Sequence, residues 1–276
     1  FQYMNDIFHH ISCPNPYRPP EGMEEGDLTE LLVKEFEDTI DLLGANNIGG
    51  FFAEPIQASG GVIVPPDGYL RRIREVCKSH NILFVADEVV TAFGRLGHWF
   101  ASEDEFDMIP DIICSAKGLS SGYLPIGAMI YSNKVHEVIS QSESGYFTSG
   151  FTYAGHPVSC AAALKNIEIM ERENILKNAH DVGLYFENKL ANLNDLPLVG
   201  NVRGKKMMMC VENVANKETK ELLPDDLNVG KLISNKAEEL GLLVRPLGHL
   251  NVMSPSLTIT VEDIDLYQMT MKPKFL

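Results

Sequence analysis

Two short apolar runs, each followed by one ionisable side chain, constrain the fold of this chain more than any other feature. Residues 82–86 precede Asp87, and residues 112–114 precede Lys117 by two small residues. Unbroken runs of this length, rich in residues that favour β-structure, are typical of parallel strands buried on both faces. In open α/β sheets, ligands bind at the carboxyl ends of such strands. The sequence therefore predicts that the Asp87 carboxylate and the Lys117 amine meet in one crevice.

A cofactor that uses both a carboxylate and an amine is pyridoxal phosphate. Its enzymes hold the cofactor aldehyde as a Schiff base on a lysine and keep the pyridine nitrogen protonated with an acidic side chain. Lys117 fits the first role and Asp87 fits the second. When a substrate amine displaces Lys117 from the cofactor, the freed amine can move the proton on the substrate's Cα. One side chain would then act as covalent anchor and as base.

The same residues allow a different interpretation. Asp87 and Glu88 after an apolar strand resemble the Walker B element of an ATPase, in which the aspartate holds Mg²⁺ and the glutamate positions water. The phosphate-binding loop G-x-x-x-x-G-K-[ST] that accompanies this element does not occur in the 276 residues. The alternative stays open because such a loop could precede Phe1, and Lys117 would then be a solvated surface lysine.

Four motifs, in this order, resemble the class III pyridoxal-phosphate aminotransferases, the fold-type I group that includes omega-amino acid:pyruvate and ornithine aminotransferases. The motifs are Ala53-Glu54-Pro55-Ile56-Gln57; Asp87-Glu88-Val89 with Phe93-Gly94-Arg95; Ser115-Ala116-Lys117-Gly118 with Pro125-Ile126-Gly127-Ala128; and Phe151-Thr152-Tyr153-Ala154-Gly155-His156-Pro157. Each motif alone is weak, but the four together, with family-like spacing, are specific. The resemblance runs through nearly the whole chain.

The resemblance implies an α/β fold with two domains. A large cofactor-binding domain over residues 1–170 would contain a mostly parallel sheet sandwiched by helices, and residues 171–276 would form a smaller α+β domain. The N-terminal part of the family fold has no counterpart before Phe1, so we expect either a fragment of a longer enzyme or a truncated product. After Asp265 the sequence departs from the family's closing helix.

The resemblance also implies roles for single residues. Lys117 is the catalytic residue and binds pyridoxal 5'-phosphate together with Asp87, while Val89 packs on the pyridine ring. Thr152 would reach the cofactor phosphate of the neighbouring subunit, so the active species would be a homodimer with shared sites. Thr152 lies in a hydroxyl- and glycine-rich loop at residues 147–155, which can present donors to phosphate. An ordinary turn has the same composition.

Arg245 follows a predicted strand at residues 242–244 and resembles the mobile arginine with which omega-aminotransferases hold a substrate carboxylate. A guanidinium group matches a carboxylate bidentately. The alternative is an ordinary surface arginine. Ornithine-type relatives place an arginine where this chain has Val252 and a glutamate where it has Ser59. These departures favour the omega-amino acid:pyruvate branch.

Composition limits the partners and the location. The formal net charge of −15 opposes sequence-independent binding to nucleic acid or to an anionic membrane. No apolar stretch approaches the roughly 18–20 residues of a membrane-spanning helix, and the N-terminus lacks the pattern of a signal peptide, so the cytoplasm is the predicted location. The five cysteines form no C-x-x-C pair and the histidines show no ligand spacing, so neither a disulfide framework nor a metal site is predicted.

The predicted function is transfer of an amino group from a primary amine or an omega-amino acid to a small 2-oxo acid, with pyruvate as the expected acceptor. Two alternatives stay open. Another enzyme of the same fold, such as a lyase or a racemase, would share Lys117 and Asp87. A truncated dimeric scaffold that has lost cofactor binding would catalyse nothing.

Overall fold

The structure is a computed structural model and describes residues 7–20, 28–141, 147 and 149–271. Helices and strands alternate through the first half of the chain, and a second group of strands follows a pair of long helices. In chain order the elements are α1 (Leu28–Leu43), β1 (Gly50–Ala53), α2 (Tyr69–Ser79), β2 (Leu83–Asp87), α3 (Ala101–Phe106), β3 (Ile112–Ser115), β4 (Ala128–Tyr131), α4 (Asn133–Gln141), α5 (Pro157–Arg172), α6 (Ile175–Ala191), β5 (Val199–Lys205), β6 (Met208–Asn213), α7 (Val229–Glu239), β7 (Arg245–Leu247), β8 (Leu250–Met253) and α8 (Val261–Met271).

The first sheet has the order β1-β2-β3-β4. Strands β1, β2 and β3 run parallel, and β4 pairs antiparallel with β3. The apolar faces of α1 and α2 pack on this sheet in one core cluster that includes Phe36, Ile73 and Phe84. Full burial of each such side chain stabilises the fold by about 1.5–3 kcal/mol. The predicted α/β architecture with parallel strands at residues 82–86 and 112–114 is confirmed.

The second sheet has the order β5-β6-β8-β7, and all its neighbouring strands are antiparallel. Helix α6 packs on it through Phe186 and Leu190 in a core cluster that also contains Met209. The two sheets lie on opposite sides of residue 170 in the sequence. The domain boundary itself stays a prediction, because α5 runs across that position.

A third cluster joins the loop after β1 to the second sheet. Ile56 and Val62 from that loop pack against Met208, Cys210 and Leu250. This apolar packing on the second sheet holds the loop that follows β1. That loop is therefore part of the wall between the two halves of the structure.

The prediction of a strand at residues 242–244 is wrong. The Leu242 N–H donates a hydrogen bond of 2.9 Å to the Ala237 carbonyl oxygen, so this segment closes the end of α7. The strand begins at Arg245 instead. The departure from a closing helix after Asp265 is also not seen, because α8 continues to Met271. Tyr267 contributes to its packing, with its ring edge-on to Phe186 at a centroid distance of 5.6 Å.

No helix in the described part of the chain combines the length and apolar character needed to cross a membrane.

Candidate active site

The structure brings Asp87 and Lys117 to the same edge of the first sheet. Asp87 is the last residue of β2 and is in register with Cys114 of β3. Lys117 follows the last residue of β3 by two positions. Because β2 and β3 are parallel, both side chains belong to the carboxyl edge, where open α/β sheets bind ligands. Their placement at one edge agrees with the prediction, and a single crevice shared by the two side chains stays a prediction.

The Asp87 carboxylate is exposed, and one of its two oxygens accepts a hydrogen bond within the fold. Its Oδ1 accepts a hydrogen bond of 3.0 Å from the Val89 N–H, which fixes the carboxylate against the turn after β2. Within the described residues, its Oδ2 accepts no hydrogen bond. One oxygen therefore orients the group, and the other is open to a ligand that carries a proton donor.

Lys117 stands in a strained and well-supported turn. Its φ is 36°, in the left-handed region that non-glycine residues adopt at an energetic cost. The Asn166 side chain on α5 supports the turn, because its Nδ2 donates to the Gly118 oxygen at 2.9 Å and to the Leu119 oxygen at 3.1 Å. A Cβ at Gly118 would lie 3.0 Å from the Phe93 Cβ and 3.2 Å from the Phe93 oxygen, a tight contact that favours glycine there. The Lys117 side chain itself is exposed at the sheet edge.

Glu88 has a structural role that sequence reasoning did not identify. Its buried carboxylate accepts hydrogen bonds from the Ala101 N–H at 2.7 Å, the Ser102 N–H at 2.9 Å, and the Ser102 and Thr91 hydroxyls. A carboxylate at this position satisfies free N–H groups at the start of α3. The hydrogen-bonding capacity of the Glu88 carboxylate is used within the fold. Glu88 therefore does not match the water-positioning glutamate of a Walker B element.

A cavity of about 230 Å³ lies beside Lys117. Its lining includes Lys117, Arg95 and Arg245, and it contains no carboxylate among the described residues. This concentration of cations stands out in a chain whose net charge is −15. Convergent positive groups around a partly apolar cavity favour binding of a small anionic ligand.

Arg95 is the cation that sequence reasoning missed. Its Nη1 donates to the Met207 oxygen at 2.9 Å and to the Pro255 oxygen at 2.7 Å, which ties the segment after β2 to the second sheet. Burial lowers the pKa of Arg95 to about 10, so the guanidinium remains charged at neutral pH. These partners are more than 100 positions away in sequence, so no local pattern indicates the contact.

Arg245 and the two positions that distinguish ornithine-type relatives share this cavity. Arg245 is the first residue of β7 and is exposed, and it lines the cavity together with Ser59 and Val252. The structure thus places Arg245 on the same cavity wall as Lys117. Its proposed contact with a substrate carboxylate stays a prediction.

The structure does not bring Val89 and Thr152 to that cavity. Val89 is half-buried two positions after Asp87, and its neighbour Val90 lines the cavity instead. Thr152 is exposed on the loop before α5, and Thr148 of the same loop lies outside the described residues. The roles of Val89 on the cofactor ring and of Thr152 across a subunit interface stay predictions.

Comparison with known proteins identifies the family. Residues 1–273 match the family model described as Aminotransferase class-III. The chain belongs to the class III aminotransferase family. It is 40% identical over 259 residues to gamma aminobutyrate transaminase 1, mitochondrial, of Solanum lycopersicum, covering 93% of this chain and 50% of that protein. It is also 40% identical to the putrescine–pyruvate aminotransferase of Pseudomonas aeruginosa, covering 93% of this chain and 56% of that protein.

Solved structures agree on the fold. An (S)-enantioselective omega-transaminase from Thermomicrobium roseum superposes with a TM-score of 0.90 at 39% identity, over 96% of this chain and 59% of that one. An amine transaminase from an uncultivated Pseudomonas species, in its PLP-bound form, gives a TM-score of 0.89 at 39% identity, over 95% and 60%. The class III chain therefore has the fold-type I architecture. It spans about half the length of the curated relatives it matches.

Class III aminotransferases depend on pyridoxal phosphate, and the sheet edge fits that cofactor. The open Asp87 oxygen can accept a hydrogen bond from a protonated ring nitrogen, and the exposed Lys117 amine can bond to an aldehyde. The small Ser115, Ala116 and Gly118 around Lys117 leave room for a flat ring to approach. Asp87 and Lys117 are the residues of this chain that would hold the cofactor.

Proposed function

We propose that this chain is the catalytic part of a pyridoxal-phosphate aminotransferase that moves an amino group from a primary amine or omega-amino acid to a small 2-oxo acid, with pyruvate as the acceptor. The observation that carries this proposal is the single cavity shared by Lys117 and Arg245. The amine at one point of its wall can act on a reacting carbon, and the guanidinium at another can hold a carboxylate. The family relationship supports the reaction class.

The chemistry divides among the residues of the site. The cofactor, when bound, supplies an electron sink that weakens the Cα–H bond of the substrate. The Asp87 carboxylate keeps a proton on the ring nitrogen, because an anion beside a cationic ring favours its charged form. The Lys117 amine would remove the proton from the substrate's Cα and hold it for return. Arg245 orients substrates that carry a carboxylate.

Amine transfer to pyruvate is tested by incubating the full chain with pyridoxal phosphate, a primary amine and pyruvate. We expect alanine to form in a one-to-one ratio with the carbonyl product of the amine. A lyase or racemase would give no such stoichiometry, and a scaffold without cofactor binding would give neither product. Amino transfer to 2-oxoglutarate, with none to pyruvate, would overturn pyruvate as the acceptor.

Arg245→Ala is expected to reduce the reaction of carboxylate-bearing donors by a factor corresponding to about 2–5 kcal/mol, because a charge-assisted contact to a buried partner is lost. Plain amines should react as in the unmodified chain. The first half-reaction is measured in single turnover without a 2-oxo acid, so that loss of acceptor binding does not contribute. Arg172→Ala is the control, because Arg172 is a surface arginine paired with Glu173. Equal losses for both donor classes would assign Arg245 to the fold.

We also propose that the active species is a homodimer in which Thr152 reaches the cofactor phosphate of the partner subunit. Thr152→Ala should weaken cofactor binding by about 1–3 kcal/mol, the usual effect of losing a hydrogen bond to a charged group. Mixing this variant with Lys117→Ala should restore activity, because a mixed dimer has one site with both changes and one with neither.

A mixture of Lys117→Ala with Asp87→Asn is the control for this experiment. Both residues would act on the same cofactor from one chain, so no intact site forms in the mixed dimer. Subunit exchange is followed separately by mass spectrometry of tagged chains. Subunit exchange without recovery of activity in the Thr152→Ala mixture would refute the shared site.

The cytoplasm stays the proposed location.

A further inference from the structure

Asn166 on α5 contacts the turn that carries Lys117 with both ends of its side-chain amide. Its Nδ2 donates hydrogen bonds to the Gly118 oxygen at 2.9 Å and to the Leu119 oxygen at 3.1 Å. Its Oδ1 accepts a hydrogen bond of 2.8 Å from the Ser121 hydroxyl. Because carbonyl oxygens can only accept, the amide nitrogen must face them, and this fixes the orientation of the amide. The residues directly after Lys117 are therefore held from outside the turn.

The turn needs this support because two of its residues have left-handed backbone conformations. The φ angles of Lys117 and Ser121 are 36° and 51°. Residues with a side chain adopt this region at an energetic cost and stay in it only where their surroundings hold them. Inside the turn, the Ser120 N–H donates to the Lys117 oxygen and the Ser121 N–H donates to the Gly118 oxygen, each at a long 3.3 Å. The hydrogen bonds with Asn166 are shorter, so α5 is a main support of this conformation.

Helix α5 is a rigid base for this contact. Its residues Ala163 and Met170 pack against Leu119 in one core cluster. Asn166 lies between them on the same face of the helix, about one turn from each. Its Nδ2 also lies 3.5 Å from the Met170 sulfur. Apolar packing thus fixes the distance between α5 and the turn, and the Asn166 amide is oriented before any ligand binds.

We propose that Asn166 is a positioning residue, which holds the turn after β3 so that the Lys117 amine stays where it forms its covalent bond with the cofactor. A change of φ at Lys117 would redirect its Cα–Cβ bond and move the amine away. The Asp87 carboxylate is fixed separately by the Val89 N–H, so binding of the cofactor ring does not depend on Asn166. Groups held in the reacting geometry form a bond far more readily than free ones. This inference rests on the proposed function and extends it to a residue on α5.

The first test examines the turn without cofactor. Amide hydrogen exchange of the peptide that contains residues 116–121 is followed by mass spectrometry in the unmodified chain and in Asn166→Leu, which keeps the size of the side chain and removes its polar atoms. Exchange should be about ten times faster in the variant, because two hydrogen bonds to the turn are lost. Asn188→Leu is the control, since Asn188 is exposed on α6 and its Nδ2 donates to the Leu184 oxygen at 2.9 Å. That variant should exchange like the unmodified chain.

The second test separates covalent from non-covalent binding of the cofactor. Pyridoxal phosphate is titrated into each chain at a temperature where circular dichroism shows all of them folded, and the covalent bond is trapped with borohydride and read on the Lys117 peptide. Pyridoxamine phosphate, which has no aldehyde, is titrated in parallel. In Asn166→Leu the pyridoxal phosphate concentration for half-maximal trapping should rise about tenfold, whereas pyridoxamine phosphate should bind as in the unmodified chain. Asn188→Leu should change neither.

The outcomes separate a positioning role from a purely structural one. Unchanged exchange at residues 116–121 in Asn166→Leu would overturn the inference, because Asn166 would then not hold the turn. Equal weakening of both cofactor forms, or trapping equal to that of the unmodified chain, would assign Asn166 to the fold alone. If Asn166→Leu does not fold, Asn166→Ser, whose side chain is too short for these contacts, is measured in its place. Absence of trapping on Lys117 in the unmodified chain would overturn the proposed function itself, whereas normal trapping there without a selective loss in the variant would overturn only this inference.

Discussion

Lys117→Ala is expected to abolish amino transfer, with a loss of at least about four orders of magnitude in rate, because one substitution removes both the covalent anchor and the proton-transferring amine. The fold should persist, since the Lys117 side chain is exposed and the supporting hydrogen bonds from Asn166 go to backbone oxygens of Gly118 and Leu119. Alanine and carbonyl product are measured from the amine and pyruvate. Circular dichroism checks the fold.

Lys165→Ala is the matched control for this result. Lys165 lies on α5, is exposed and pairs with Glu168 one turn along the helix. The Lys165→Ala substitution removes the same charge and the same number of atoms as Lys117→Ala, and activity should remain. Substantial turnover by Lys117→Ala would remove Lys117 from the catalytic role and with it the proposed mechanism.

Asp87→Asn is expected to reduce amino transfer by several orders of magnitude while the chain still binds cofactor covalently. A neutral amide cannot stabilise the positive charge of a protonated ring nitrogen, so the electron sink weakens. The amide oxygen can still accept the Val89 N–H bond, which preserves the local turn. Single-turnover rates and the cofactor absorbance band are measured on the same sample.

The two variants separate the two roles at the sheet edge. Lys117→Ala should lose the covalent bond as well as turnover, whereas Asp87→Asn should keep the bond and lose turnover. Asp38→Asn, at an exposed ion pair with Lys34 on α1, removes one carboxylate elsewhere and should be neutral. A rate for Asp87→Asn equal to that of the unmodified chain would show that another group partners the ring nitrogen.

The sequence was most informative where the signal is local. Residues 82–86 and 112–114 are continuous apolar runs, and such runs specify buried parallel strands without reference to the rest of the chain. The positions of Asp87 and Lys117 at one edge follow from that alone. The sequence of α1 carries an equally local signal, because its apolar residues repeat with a helical period and face the core.

The remaining features depend on contacts between distant residues. Arg95 donates to Met207, between β5 and β6, and to Pro255, just after β8, and nothing near Arg95 in the sequence indicates those carbonyl oxygens. Glu88 allowed a Walker B interpretation because it follows Asp87, and only the fold shows that α3 uses its carboxylate. The segment at residues 242–244 has the composition of a strand but is needed to close α7. Tertiary context decided all three cases.

The central claim is that the Lys117 amine binds pyridoxal phosphate covalently, and borohydride trapping tests it most directly. The full chain is incubated with pyridoxal phosphate, reduced with borohydride, digested and analysed by peptide mass spectrometry. We expect the visible absorbance band of the bound cofactor to disappear on reduction and the reduced cofactor to be attached to the peptide that contains Lys117, at a stoichiometry near one per chain. Attachment spread over surface lysines such as Lys165 and Lys177, with Lys117 unmodified, would contradict the account.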